Sequence, residues 1–286
     1  MSTSSKNSSQ NIREDDDLIW HYTSFDVFKK MICGETGLYA THVRFLNDSS
    51  EFRYGWKIIM SMAEKYVEER KKQHKETKSA IEKLQDVQQQ IKSMLLNIKI
   101  ENYKKTDVYV TCFSKECDNL YQWRCYTPQG GVCIGFSRQE LQQRVFGTNQ
   151  EEIGKIRNVP LKTFSYHSDN SNQMDSWGCL CDCIYDEKEQ KQAVIKFIFS
   201  EPTTQYANIF FLACLMKHDS FVFEQEERIV YSGASCYDKL EMIGGKPRIP
   251  VLGASPSEIR QLIKGVVVSP PWRQRTQFIL GPSLGS

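Results

Sequence analysis

The chain has 286 residues with 40% hydrophobic and 12% aromatic content, enough apolar material for a well-buried core in one elaborated domain. Thirty-seven basic against thirty-five acidic side chains leave a net charge of +2, which excludes a broadly cationic nucleic-acid surface; a single basic cleft is invisible to such a total. No apolar run approaches the roughly 20 residues that cross a bilayer, and the Ser-, Asn- and Asp-rich stretch 1–17 lacks the apolar segment of a signal peptide. The expectation is a cytoplasmic protein with no membrane partner, a disordered leader over 1–17 and one domain over 18–286.

The first ordered element is Leu18-Ile-Trp-His-Tyr-Thr-Ser24, a short apolar run that hands over to a helix capped by Thr23 or Ser24, with Phe25, Phe28 and Ile32 at helical spacing. His21 at that strand end is a candidate ligand for a sugar or phosphate, with a hydrogen-bonded structural histidine as the alternative. The helix stops at Gly34 or Gly37, and Leu38-Tyr-Ala-Thr41 reads as a second strand. The polar loop Arg44–Phe52 carries Asn47, Asp48 and Ser49, residues that suit a turn or a cap. Farther on, Leu84, Val87, Ile91, Met94 and Ile98 recur at alternating intervals of three and four, the seam of a coiled coil or helical hairpin. Residues 55–102 are therefore expected to form a helical insertion, and its segment 80–98 to join a partner, a second copy or its own hairpin.

The remainder is β-rich. Asp107–Phe113 alternates apolar and polar residues, Gly131–Phe136 reads as a buried strand, and Lys162–His167, Cys179–Tyr185, Glu227–Tyr231 and Gly265–Ser269 as further strands. Helices fit Arg138–Val145, Glu187–Ile198, Tyr206–Leu215 and Pro256–Ile263, the last opened by Ser255-Pro256 as cap and first position. Strands and helices mix without βαβ regularity, and GxGxxG, GxxxxGK[ST] and HExxH are absent. The fold class expected is α+β around a bent, largely antiparallel sheet.

Three clusters carry polar chemistry. In Phe221–Tyr231, Glu224 and Glu226 stand two apart, so an extended segment would aim both the same way, with Arg228 on that face. Such a pair can divide labour, one carboxylate stabilising a developing cation and the other positioning a nucleophile; a solvated acidic turn bridged to Arg228 is the alternative. In Cys112–Tyr126, aromatic residues around Arg124 suit stacking on a base and gripping a phosphate, although Trp123 reads first as a core anchor. Cys179, Cys181 and Cys183 would share one strand face, and their spacing suits buried reduced thiols better than a zinc site.

Taken together and in order, His-Tyr-Thr-Ser, Leu-Tyr-Ala-Thr, Phe-Leu-Asn-Asp-x-x-Glu-Phe, Cys-Phe-Ser, Gln-Trp-Arg-x-Tyr, Gly-Val-x-Ile-Gly-Phe and Phe-x-x-Glu-x-Glu-x-Arg resemble the bacterial family catalogued as domain of unknown function twenty-nine seventy-one. The resemblance covers about 18–54 and 107–270 and leaves 55–102 aside. Glu227 departs from it, since the family usually has tryptophan before the arginine. A second resemblance, to the His-Tyr-Glu layout of ADP-ribosyltransferases, implies a chemistry. By position, His21 would hold the adenosine-side ribose of NAD, Tyr39 or Tyr22 would stack on nicotinamide, Thr23 would add a hydroxyl, and Glu226, assisted by Glu224, would serve as the catalytic carboxylate. Arg44 and Arg124 join these as candidate nucleotide-binding residues and, with His21, would capture a nucleotide or nucleic-acid end if the protein is a binding module.

The implied activity is NAD-dependent ADP-ribosyl transfer to a macromolecule, protein or nucleic acid, or hydrolysis of NAD, without a metal, in a bacterial toxin or anti-phage effector. The alternatives are an inactive nucleotide or nucleic-acid binding module that senses or signals in defence, and a metal-dependent nuclease using Asp48, Glu51, Glu224 and Glu226.

Overall fold

The computed structural model describes residues 18–47, 51–72, 89, 108–146, 151–156, 159–166, 174–198, 205–233, 240–253 and 255–270. Strand β1 (Leu18–Ser24) runs straight into helix α1 (Phe25–Cys33). The Ser24 hydroxyl caps the helix by accepting from the Val27 amide, and Gly34 closes it at φ 80, a left-handed conformation that favours glycine. Next come β2 (Leu38–His42), a 3-10 turn over Val43–Phe45 and the long helix α2 (Glu51–Lys72).

Strand β3 (Val108–Ser114) leads to α3 (Leu120–Tyr126), β4 (Gly131–Ser137) and α4 (Arg138–Phe146). A meander follows, β5 (Glu151–Ile156), β6 (Val159–Tyr166) and β7 (Met174–Asp182). Helices α5 (Glu187–Ile198) and α6 (Gln205–Leu215) precede a 3-10 turn over Asp219–Glu224 and β8 (Glu226–Gly233). The chain then forms β9 (Glu241–Ile243), β10 (Lys246–Leu252), α7 (Pro256–Leu262) and β11 (Ile263–Val268).

All named strands join one antiparallel sheet in the order β11-β4-β1-β3-β8-β7-β6-β5, while β2 pairs with β3 and β10, and β10 with β9. The α+β expectation with a largely antiparallel sheet therefore describes the fold, and the sheet is open. Alternation sends Val108 and Val110 of β3, Cys179 and Cys181 of β7 and Val230 of β8 into one core with α2, α5 and α6. Phe113, Leu180 and Ile229 point the other way, into a second core with Ile134, Phe136, Leu141 and Leu262. Helices thus cover both faces, and Cys179, Cys181 and Cys183 are buried.

Two boundaries move from the sequence-based expectation. Trp56, Ile59 and Met62 are buried in the first core, so the first part of α2 is body and not insertion: its apolar stripe already has α5 and α6 to pack on. The seam at 80–98 lies outside the described residues apart from Gln89. Strands β9 and β10 are the other addition. Pro247 and Pro250 disguise β10 in the sequence, since proline donates nothing to a ladder; here it is accommodated in a strand whose register shifts between Pro250 and Leu252.

Candidate functional site

The sheet splits along one edge of β3. Strand β1 pairs with β3 only at Trp20↔Ser114, and β2 only at Thr41↔Val110 and His42↔Tyr109. Between them Thr111, Cys112 and Phe113 have no ladder partner on that edge, and backbone polar groups without one must find another. At Cys112 a side chain supplies it, His21 Nδ1 donating to the carbonyl at 3.0 Å, and across the gap the Thr111 hydroxyl donates to the Tyr39 carbonyl of β2 at 3.2 Å.

This divergence opens a cleft of about 460 Å³, lined among others by His21, Thr23, Tyr39, Thr41, Thr111, Cys112, Tyr126, Glu51, Arg228, Lys246 and Arg248. Because a carbonyl only accepts, Nδ1 carries the His21 proton and Nε2 is the nitrogen left with a lone pair. Burial, helped by the charge of Arg248 and opposed by the Cys112 bond, lowers the His21 pKa, so the ring is neutral at pH 7. The Tyr39 hydroxyl donates to Glu241 Oε2 at 3.2 Å, which fixes the ring on the cleft wall.

The floor of the cleft is a buried network of five charges. Arg228 reaches Glu226 through Nε at 2.8 Å and Nη2 at 2.9 Å, Glu51 through Nη2 at 2.6 Å, and the Cys214 carbonyl through Nη1 at 2.6 Å. Lys217 touches Glu226 at 2.5 Å, Glu51 at 3.0 Å and Glu224. Burying one such charge unpaired would cost several kcal/mol, so each cation meets more than one acceptor.

Three carboxylates against two cations leave one negative charge in excess, and a proton on one carboxylate removes it. Glu224 is the one without a contact to Arg228; burial first and Glu226 next push its pKa to about 7, against the pull of Lys217. Glu226 behaves oppositely. Burial alone would raise it, but Arg228 and Lys217 outweigh that and hold it below the usual carboxylate range.

Glycine lets α2 deliver Glu51 to this network. A Cβ on Gly55 would stand 2.1 Å from the Ala213 carbonyl oxygen, so only glycine allows α2 to lie this close to the end of α6. Glu51, one turn earlier, then reaches Lys217, two residues beyond α6.

Of the residues singled out from sequence, His21, Tyr22, Thr23 and Tyr39 line the cleft. Tyr22 is committed elsewhere: its hydroxyl donates to the Glu116 carbonyl at 2.6 Å and accepts from the Asn119 amide at 3.0 Å, and its ring meets Trp123 edge-on. Trp123 is a core anchor, buried with its indole nitrogen on Asp118. Arg124 is exposed and Arg44 sits on the exposed 3-10 turn, and neither lines this cleft.

Glu224 and Glu226 require a correction. They do not lie on one extended segment, because Gln225 between them is left-handed at φ 43; Glu224 ends the 3-10 turn and Glu226 begins β8. They meet at Lys217 all the same, a residue that periodicity gives no reason to pick. Both oxygens of Glu226 are held by cations and neither glutamate lines the cleft, whereas Glu51 does. Glu227 points to the opposite face, where Arg138 Nε lies 2.7 Å away.

In the sequence Glu51 reads as a nuclease carboxylate, as an ion-pair partner for Arg124 and as the glutamate of the Asn-Asp-x-x-Glu motif ahead of a helix, and not as part of an NAD site. The nuclease set itself does not present open carboxylates, since Glu51, Glu224 and Glu226 are ion-paired with Lys217 or Arg228, and Asp48 lies outside the described residues.

Residues 122–229, from α3 to β8, match the family described as Protein of unknown function (DUF2971), which supports the family assignment. The matched stretch holds Lys217, Glu224, Glu226 and Arg228 of the network. No curated protein and no solved structure matches the chain.

Proposed function

We propose that the cleft between β1 and β2 binds NAD and that the protein is an ADP-ribosyltransferase-like enzyme, with Glu51 in the role that the motif alone gave to Glu226. The observation that carries this reading is the convergence of His21, Tyr39 and Glu51 on one cleft of about 460 Å³, within the ordinary range of small-molecule sites, roughly 300–1,000 Å³. The lone pair on His21 Nε2 suits a ribose hydroxyl donor, and the Tyr39 ring offers a face to a base or to nicotinamide. Loss of nicotinamide leaves an oxocarbenium-like ribose, and a carboxylate already fixed in place stabilises that charge without reorganising. The acceptor is a macromolecule in the transferase form and water in the glycohydrolase form.

The test is to incubate the full chain with NAD and follow free nicotinamide, with and without a chelator. Release that survives the chelator and falls about 100-fold or more in Glu51→Gln supports the reading, since the lost interaction belongs to the transition state. Absence of release from the wild type refutes enzymatic cleavage.

One observation favours a second reading. Glu51 already faces Lys217 at 3.0 Å and Arg228 at 2.6 Å, and a carboxylate so neutralised offers less to a developing cation. The cleft would then be a binding module for the same nucleotide, with saturable NAD binding and no nicotinamide release.

A further inference from the structure

Arg248 stands out among the cleft residues because no carboxylate among the described residues answers its charge. Its Nε is buried without a hydrogen-bond partner, and among the described residues no carboxylate lies within ion-pair distance. The residue best placed to provide one is Glu241, its direct cross-strand neighbour on β9; that carboxylate accepts from the Tyr39 hydroxyl instead. A buried guanidinium N–H without an acceptor is costly to keep, so an acceptor from outside is the natural complement.

The strand register says what shape of acceptor fits. Thr41 of β2 lies directly across from Arg248, and Lys246 stands two residues away on β10, hence on the same face. All three line the cleft, and among the described residues Lys246 makes a long 3.5 Å contact to Asn47. Two cations and a hydroxyl in a row suit a polyanion better than a single carboxylate. The planar fork of an arginine takes two phosphate oxygens at once, and lysine adds a point charge. The acidic side of the cleft lies at Glu51, where Arg228 and Lys217 hold the carboxylate, so an anion is favoured on the β10 wall and not at the floor.

We propose that Arg248, with Lys246 and Thr41, is a phosphate-binding wall that grips the diphosphate of the nucleotide in this cleft, in place of Arg44 and Arg124, the nucleotide-binding candidates from the sequence. That the anion belongs to a nucleotide rests on the NAD reading above; that the wall takes phosphate does not.

Calorimetric titration of the full chain, wild type, Arg248→Ala and Arg248→Lys, with inorganic pyrophosphate, NAD and nicotinamide riboside tests this. Pyrophosphate and NAD are expected to bind the wild type and to weaken about tenfold or more in Arg248→Ala, the loss of one charge-assisted pair, with a smaller loss in Arg248→Lys. Nicotinamide riboside, which lacks phosphate, should bind the wild type and Arg248→Ala alike. Because Arg248 Nε has no partner to orphan, the alanine variant should keep the wild-type thermal midpoint. Equal pyrophosphate binding by wild type and Arg248→Ala, or none by the wild type, overturns the wall. Pyrophosphate binding that depends on Arg248 while neither NAD nor nicotinamide riboside binds upholds the wall and overturns the NAD reading.

Discussion

The floor and the wall of the cleft treat charge in opposite ways. On the floor, Arg228 and Lys217 together meet Glu51, Glu224 and Glu226, and the fourth donor direction of Arg228 is closed by the Cys214 carbonyl. On the wall, Arg248 Nε has no partner, and one nitrogen of His21 is left as an acceptor. The saturated network holds α2, α6 and β8 in register. The unsaturated groups are the ones with bonds to offer a ligand. A Glu-x-Glu motif therefore reads as chemistry in the sequence yet serves here chiefly as architecture, with Glu51 as its one opening to the cleft.

The contrast breaks most visibly at Arg228. Arg228→Met leaves Glu226 and Glu51 short of a buried cation, and a loss of about 3–5 kcal/mol in chemical denaturation is expected. A loss under 1 kcal/mol would mean that the network does not hold the fold. Gly55→Ala should cost about 1–3 kcal/mol by forcing α2 off the Ala213 carbonyl, and should weaken any NAD-dependent activity as well, because Glu51 moves with the helix. A variant with full stability and activity would sever the link between that helix contact and the cleft.

The pH dependence sharpens the account of the floor. Glu224 titrates near 7 in the fold against 4.5 ordinarily, so between those values the folded chain holds a proton that the unfolded chain has lost, and stability falls as pH rises through that window. In Glu224→Gln that fall should shrink by on the order of 1 kcal/mol. An unchanged pH slope would place the shared proton elsewhere. Glu226, held low, works the other way: its contribution is present above about pH 4.5 and is lost as pH drops toward its depressed pKa. The smallest effect on folding belongs to His21→Ala, about 1 kcal/mol for one hydrogen bond, while any thermal stabilisation by NAD should vanish. Equal ligand shifts in mutant and wild type would leave His21 a purely structural bridge to Cys112.

What the sequence reveals here follows from how local each signal is. The path β1–α1–β2 is legible because Ser24, the Phe25 and Phe28 spacing and Gly34 each act within a few residues. Ser255-Pro256 likewise marks α7. His21, Thr23 and Tyr39 sit where strand ends suggest chemistry, and the split of the sheet brings them to one cleft. Glu224 and Glu226 misled because the left-handed Gln225 leaves no trace in a pattern of alternation, and because Lys217 comes from the end of another helix. Arg248 was hidden more simply. Its strand carries two prolines, which argue against a strand until β2 and β9 are seen to flank it.

The location of the ligand is the central point, and hydrogen exchange of backbone amides with and without NAD measures it directly. Protection on adding NAD is expected in β1 (18–24), β2 (38–42) and β10 (246–252), with no change around the exposed Arg124 in α3, whose last residue Tyr126 alone reaches the cleft lining. Protection confined to α3, or none anywhere at saturating NAD, would contradict the assignment of this cleft as the NAD site.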